Sequence, residues 1–129
     1  MANDLTNSEQ NLLSAINKND ISTLIKPLIN EIHLFDSFIA GTSYVNQELF
    51  EKLKAGEDLI LQREDNKFDS NAIMIMTADK QKLGYVPERD NVIFARLLDA
   101  GKCLKAKVIN VTRKGTYNKV SIGIYLIDF

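Results

Sequence analysis

The sequence predicts a mostly β domain with flanking helices (α+β), built as a small barrel of about six strands with two short helices. The chain has 129 residues, which is a usual length for a single domain. Its apolar residues are grouped in short segments separated by turn residues, as in β-rich proteins. Helical patterns are too few to alternate with these segments, so a barrel is favoured over a parallel βαβ layout.

The strands and helices follow from the apolar periodicity and from the residues that bound it. The predicted strands cover residues 31–40, 59–63, 72–76, 83–86, 103–112 and 119–127. A short helix is predicted over 46–54, where an apolar face ends before Gly56. A second helix is predicted from Asp90, its expected N-cap, to about Ala100.

Residues 1–30 are predicted to form a helical extension that precedes the barrel domain of residues 31–129. Thr6 and Glu9 have the spacing of a capping box, and Asp20 can cap a second short helix. The extension either packs on the barrel or acts as an arm for dimerisation or partner docking. Its narrow apolar faces favour packing.

Composition and targeting signals indicate an ordinary globular protein, with 45% hydrophobic and 26% charged residues. No apolar run is long enough to cross a bilayer, and the first residues lack the regions of a secretory signal. With Cys103 as its single cysteine, the chain forms no internal disulfide. We therefore expect a cytoplasmic protein without a membrane partner.

The charge is unevenly distributed although the net charge is only −1. Residues 31–64 hold seven acids and three bases, whereas residues 101–129 hold six bases and one acid. This asymmetry points to an anionic partner at one face, or equally to an ordinary solvated face of a sheet.

Residues 59–75 form the stretch around which the chain is organised, with two short strands joined by the polar loop 64–71. Loops held on rigid strands are frequent sites of binding groups. Phe68 lies inside this loop, where an aromatic side chain is a poor core residue. It is therefore a candidate platform for stacking.

The residues around this loop resemble the signature of the HIRAN family. The likeness is carried by Arg63-Glu64, Asp65-Asn66, Phe68-Asp69, Asn71-Ala72-Ile73, Gly41, Tyr44 and Gly84-Tyr85-Val86-Pro87, and it covers roughly residues 31–127. The resemblance, here to a freestanding bacterial-type HIRAN protein, implies an OB-like β-barrel. By similarity to members in fork-remodelling helicase-like proteins, it also implies capture of single-stranded DNA 3′-hydroxyl ends in DNA repair or replication-fork processing.

The resemblance also implies roles for individual residues. Tyr44 and Phe68 would stack beside the DNA end, and Asn66 would contact the terminal base. Asp69 would accept a hydrogen bond from the 3′-hydroxyl and repel a terminal phosphate. An Asx turn, in which Asp69 caps its own loop, explains this carboxylate equally well.

Further aromatic and cationic residues near predicted loops complete the candidate nucleic-acid-binding set: Ser43, Tyr85, Arg89, Arg113, Lys114 and Tyr117. Additional positive charge is available from Lys82, Lys105 and Lys107. DNA-end-binding members carry a basic residue in place of Ser43 and lysines in place of Pro87-Glu88. The missing phosphate contacts should weaken binding and flatten its salt dependence.

The sequence shows no pattern of a zinc site, a calcium loop, a catalytic triad or a phosphate-binding loop. One histidine, His33, and one cysteine in different elements cannot form a structural zinc site. Lys67 occupies the third position of the loop, where a calcium loop needs an oxygen ligand. No nucleophile with a matching base and no phosphate-binding loop is present.

We therefore predict a non-enzymatic module without metal, cofactor or small-molecule substrate, whose partner is single-stranded DNA or a DNA end. The alternative is a protein-interaction module that uses the same groove or the N-terminal helices to engage a protein of a repair complex. A metal-dependent nuclease built on Glu64, Asp65, Lys67 and Asp69 ranks last, because these groups crowd into one loop.

Overall fold

The computed structural model describes residues 30–128, which form six strands, one 3₁₀ turn and two α-helices. The strands are β1 (Asn30–Phe38), β2 (Asp58–Arg63), β3 (Ile73–Met76), β4 (Lys82–Tyr85), β5 (Cys103–Lys114) and β6 (Tyr117–Asp128). The helices are the 3₁₀ turn (Thr42–Tyr44), α1 (Glu48–Glu51) and α2 (Glu88–Asp99). The predicted extension over residues 1–30 lies outside the described residues, save for Asn30.

The six strands form one curled sheet in the order β1-β6-β5-β2-β3-β4. The pairs β2–β3, β3–β4, β2–β5 and β5–β6 are all antiparallel. This arrangement is an OB-like half-barrel, so the predicted fold class is confirmed.

The chain after β1 brings the two ends of the sheet together. Ala40 and Tyr85 form an isolated antiparallel bridge, with N···O distances of 2.8 and 2.9 Å. Gly84 makes this approach possible, because a Cβ at that position would lie 2.3 Å from the Ala40 carbonyl oxygen. The same closure places the segment that follows β1 beside β4, where the candidate site lies.

The core fills the concave side of the sheet with branched and aromatic side chains. The largest fully buried apolar residues are Phe50, Leu59, Ile73, Ile75, Leu83, Ile122, Ile124, Val86 and Val120. Phe50 comes from α1, and α2 packs against β2 and β5 with Phe94 and Ala95 buried. Within residues 30–128, every buried side-chain polar atom has a hydrogen-bond partner.

Two predictions about the helices need correction. The helix expected over 46–54 is only the four residues of α1. Helix α2 begins at Glu88 with Pro87 at its N-cap, so Asp90 is not the cap. The Asp90 carboxylate instead accepts a hydrogen bond from Ser37 Oγ at 2.9 Å. Pro87 provides no side-chain cap, and its carbonyl oxygen accepts from the Asp90 N–H at 2.9 Å in the first turn.

The last hairpin also differs from the prediction. Lys114 pairs with Tyr117, so the turn between β5 and β6 contains only Gly115 and Thr116. Gly115 has φ +63°, at the position where type II′ hairpin turns place a glycine. Arg113, Lys114 and Tyr117 therefore lie at strand ends and not in a loop.

Candidate nucleic-acid interface

An open groove of about 520 Å³ lies beside the Ala40–Tyr85 bridge. Its lining residues are Ala40, Gly41, Tyr44, Val45, Lys82, Gly84 and Tyr85. Two of the predicted aromatics, Tyr44 and Tyr85, are thus brought together although they are far apart in sequence. Tyr44 is 92% exposed, which leaves its ring free to stack against a planar ligand.

The exposed Tyr44 is mounted on a fixed turn. Thr42 Oγ1 donates to the Asn118 carbonyl oxygen at 2.6 Å. Gln47 Nε2 donates to the carbonyl oxygens of Thr42 and Val45 at 2.8 and 2.7 Å. Gln47 Oε1 accepts from the backbone N–H and the Nδ2 of Asn118 at 2.9 and 3.0 Å. These bonds tie the 3₁₀ turn to β6, so little conformational freedom is lost when a base stacks on Tyr44.

Tyr85 links the groove to the predicted binding loop. Its hydroxyl donates to the Glu64 carboxylate at 2.7 and 3.0 Å from the two oxygens. Lys82 Nζ donates to the Tyr85 hydroxyl at 2.7 Å and lies 4.4 Å from the ring centroid. Glu64 and Lys82 therefore both hold the Tyr85 hydroxyl in place.

The loop that carries Phe68 is organised by Asn66. Asn66 Oδ1 accepts from the Phe68 backbone N–H at 2.8 Å, and its Nδ2 donates to Glu64 Oε2 at 3.2 Å. Phe68 is 83% exposed, with Lys67 Nζ 5.2 Å from its ring centroid. The Asn66 side chain thus holds Phe68 out towards solvent, while its contact with a base stays a prediction.

Arg63 fixes the far end of this loop. Its guanidinium donates to the carbonyl oxygens of Ala72 and Ser70 at 2.7 and 2.8 Å. It also pairs with the Asp99 carboxylate at the end of α2, 2.9 Å away. The loop is therefore anchored to both β2 and α2.

The Asp69 carboxylate is held by two bonds and remains half-buried. Oδ1 accepts from the Asn71 backbone N–H at 2.9 Å, which is the Asx turn expected from the sequence. Oδ2 accepts from Nδ2 of Asn91, a residue of α2 that is only 1% exposed. Each oxygen keeps a further lone pair, so Asp69 can cap its loop and still accept a hydroxyl.

A second groove of about 460 Å³ shares Ala40 and Gly41 with the first. Its lining includes Ser43, Tyr117, Lys119 and Phe38. The Phe38 ring has the Arg89 guanidinium 5.2 Å and Lys119 Nζ 5.6 Å from its centroid. Lys119 was not among the predicted site residues, because the sequence shows it only as one of several lysines on the last hairpin. The fold places it beside Phe38 in the second groove.

The remaining basic residues that the sequence suggested for DNA binding fall into two groups. Arg113 and Lys114 are exposed, and Arg113 Nε donates to the Gly115 carbonyl oxygen at 3.0 Å. They line neither groove. Lys105 pairs with Glu31 and Asp58 at 2.5 and 3.2 Å, and Lys107 also pairs with Glu31.

These ion pairs change the electrostatics of β5. Hydrogen bonds from Lys105 and Lys107 lower the pKa of Glu31. Burial acts to lower the pKa of Lys105, but its hydrogen bonds to Glu31 and Asp58 outweigh burial and raise it. The two lysines and the two carboxylates lie close enough to compensate one another. Lys105 and Lys107, named above as additional positive charge, are thus paired with acids of β1 and β2, and their contact with DNA stays a prediction.

Among residues 30–128, no three His, Cys, Asp or Glu side chains are grouped so that they can hold a metal ion. In the same part of the chain, no helix has the length and apolarity needed to cross a membrane.

An OB-like half-barrel with exposed aromatic and cationic side chains around neighbouring grooves has the architecture of a small nucleic-acid-binding module. The HIRAN domain family matches residues 32–126, and the chain belongs to that family of DNA-binding modules.

Two solved structures are similar to this chain. A crystal structure of a protein from Lactobacillus plantarum has a TM-score of 0.72 and 26% sequence identity, covering 78% of this chain and 99% of that one. The HIRAN domain of human HLTF has a TM-score of 0.61 and 15% identity, covering 75% and 78% of the two chains. At that identity the second likeness concerns the fold alone. No curated protein sequence matches the chain.

Proposed function

We propose that the protein is a non-enzymatic module that binds the 3′-hydroxyl end of single-stranded DNA. The observation that carries this proposal is the mounting of two exposed aromatics, Tyr44 and Phe68, on hydrogen-bonded turns. Exposed rings of this kind offer stacking worth about 1–3 kcal/mol per base. They would hold the last bases without reading the sequence of the strand.

Asp69 would make the site selective for a 3′-hydroxyl over a 3′-phosphate. A carboxylate beside a polyanion repels its ligand, except where the ligand presents a hydroxyl that donates to it. The bonds from Asn71 and Asn91 orient the Asp69 carboxylate before any ligand arrives. A terminal phosphate would meet the same charge and be rejected.

The strand leading to this end would follow the cations around the second groove. Arg89 and Lys119 flank Phe38 and supply positive charge near Ser43, where other family members carry a basic residue. Arg89 also lies 3.7 Å from Asp90, which reduces its effect. Arg113 and Lys114 would extend the track at the hairpin end. A module of this kind would serve in DNA repair or replication-fork processing in the cytoplasm.

The decisive experiment changes only the DNA end. Identical labelled strands with a 3′-hydroxyl, a 3′-phosphate or a 2′,3′-dideoxy terminus are titrated by fluorescence anisotropy. We expect the 3′-hydroxyl strand to bind tightest, by about tenfold or more, since a hydrogen bond to a charged group is worth about 1.5–3 kcal/mol. Equal affinity for the three strands would show that the protein does not read the terminus.

A protein-interaction module is the second candidate, favoured by an apolar groove of about 320 Å³ between β1 and α2. Phe35, Val92 and Ile93 line it and are exposed, and Phe35 packs against Phe94 with ring centroids 5.9 Å apart. Exposed apolar side chains grouped in this way mark docking surfaces for proteins. Loss of a protein partner on Ile93→Glu with unchanged DNA binding would support this second function.

A further inference from the structure

The groove beside Tyr44 and Tyr85 has one cationic side chain among its seven lining residues. Four of the seven are the apolar or side-chain-free residues Ala40, Gly41, Val45 and Gly84. The Tyr85 hydroxyl directs its proton to Glu64, so it is not a free donor for a ligand. Lys82 is therefore the cationic donor of this groove, and the other side-chain polar group left open in the lining is the uncharged Tyr44 hydroxyl.

The Lys82 ammonium is fixed in position more firmly than a surface lysine usually is. One of its three N–H groups goes to the Tyr85 hydroxyl at 2.7 Å, and the charge lies 4.4 Å from the Tyr85 ring centroid. Glu64 in turn holds Tyr85 through two short contacts. Two N–H donors remain for a ligand, and they can donate but not accept.

We infer that Lys82 makes the groove select a terminal base by its acceptor edge, favouring a 3′-terminal guanine over adenine. This inference rests on the proposed function, because it concerns a terminal base that stacks on Tyr44 and so presents its edge to the groove lined by Tyr44, Tyr85 and Lys82. The two purines have the same ring system, so stacking on the tyrosines distinguishes them little. They differ at position 6, where guanine carries an oxygen acceptor beside N7 and adenine carries an amino donor. The two remaining N–H groups of Lys82 can therefore bond to both O6 and N7 of guanine, whereas adenine offers only N7 beside an amino donor.

The test uses four strands that differ only in the 3′-terminal base. Guanine and hypoxanthine both carry the O6 acceptor, whereas adenine and 2-aminopurine lack it. We expect the wild-type protein to bind the first two strands about five- to tenfold more tightly than the other two, at the low end of discrimination by a base-edge contact. Hypoxanthine is decisive because it lacks the guanine amino group and keeps O6. This comparison needs no variant.

Two variants test whether Lys82 causes the preference for the terminal base. In Lys82→Met the preference should disappear because the guanine and hypoxanthine strands lose affinity while the adenine strand keeps it. Lys102→Met removes the same charge from an exposed position beyond the end of α2 and should leave the preference intact.

The outcomes separate this inference from the proposed function. A wild-type protein that prefers 3′-hydroxyl ends but binds all four bases alike would overturn base selection and leave end capture standing. If Lys82→Met loses the same affinity for all four strands and shows a shallower salt dependence, Lys82 contacts a phosphate. That result would also overturn base selection. Absence of a 3′-hydroxyl preference for every terminal base would overturn the proposed function itself.

Discussion

Replacing Asp69 by asparagine should remove most of the discrimination between a 3′-hydroxyl and a 3′-phosphate. Asparagine keeps the size of the side chain, and its oxygen can still accept from the Asn71 N–H. Asn91 can flip its amide and present its oxygen to the new amide group, so the buried pair is preserved. Alanine is a poorer choice, because it would leave the buried Asn91 amide without its partner at a cost of about 1–3 kcal/mol in stability.

The magnitude follows from the change of acceptor. Hydrogen bonds to charged groups contribute about 1.5–3 kcal/mol and neutral ones about 0.5–1.5 kcal/mol, so the hydroxyl strand should lose about 1–1.5 kcal/mol of binding free energy. The phosphate strand should bind as before or better, because the repulsion by Asp69 is removed. The ratio of the two Kd values should therefore fall by about tenfold.

Fluorescence anisotropy with both strands measures this ratio, which does not depend on the fraction of active protein. Asp65→Asn is the matched control, since Asp65 is an exposed carboxylate of the same loop. Its ratio should equal that of the wild type. If Asp69→Asn and Asp65→Asn give the same ratio, the Asp69 carboxylate serves its Asx turn and does not read the DNA end.

Five other variants test the fold and the binding surface. Tyr44→Ala should weaken the binding of both strands by about 1–3 kcal/mol in anisotropy titrations. The urea midpoint of unfolding should stay unchanged, because the Tyr44 ring is 92% exposed. An affinity equal to that of the wild type would exclude stacking on Tyr44. Arg89→Ala and Lys119→Ala should each lower the slope of log affinity against log salt by about 0.7, and an unchanged slope would place the phosphates elsewhere. Gly84→Ala should lower the free energy of unfolding in urea by about 2 kcal/mol or more, because the new Cβ meets the Ala40 carbonyl at 2.3 Å; a loss below about 0.5 kcal/mol would contradict the closure described here. Glu31→Gln should be less stable than wild type at pH 7, because the ion pairs lower the folded-state pKa of Glu31 from 4.5. The difference in stability should shrink as the pH falls below 4.5 and wild-type Glu31 is protonated. A difference that persists in acid would reject the ion pairs as its cause.

Strand positions could be predicted well because alternation is a local property. The predicted segments 59–63 and 83–86 match β2 and β4 within one residue at each end. Helix α1 was overestimated because an apolar face over 46–54 does not ensure hydrogen bonding along its whole length. The start of α2 was missed because proline at the N-cap position lacks the side-chain cap that sequence inspection looks for.

The candidate site was predicted only in part. Tyr44 and Phe68 were singled out correctly as exposed aromatics, and their contact with DNA stays a prediction. Lys119 and Asn91 carried no recognisable signal, because an isolated lysine or asparagine acquires a role only through its neighbours in space. Gln47 was missed for the same reason, although it holds the Tyr44 turn.

The sequence by itself determined the six-strand pattern, the polar loop that carries Phe68 and Asp69, and the family resemblance. The first two depend on residues close together in the chain, and the resemblance depends on residue identities along residues 31–127. Only the tertiary structure decided which charged side chains lie next to one another. Glu31 and Asp58 neutralise Lys105 and Lys107, while Arg89 and Lys119 meet around Phe38. Electrostatic interactions depend on distance in space, and the curling of the sheet brings together residues that lie 30 to 81 positions apart in the chain.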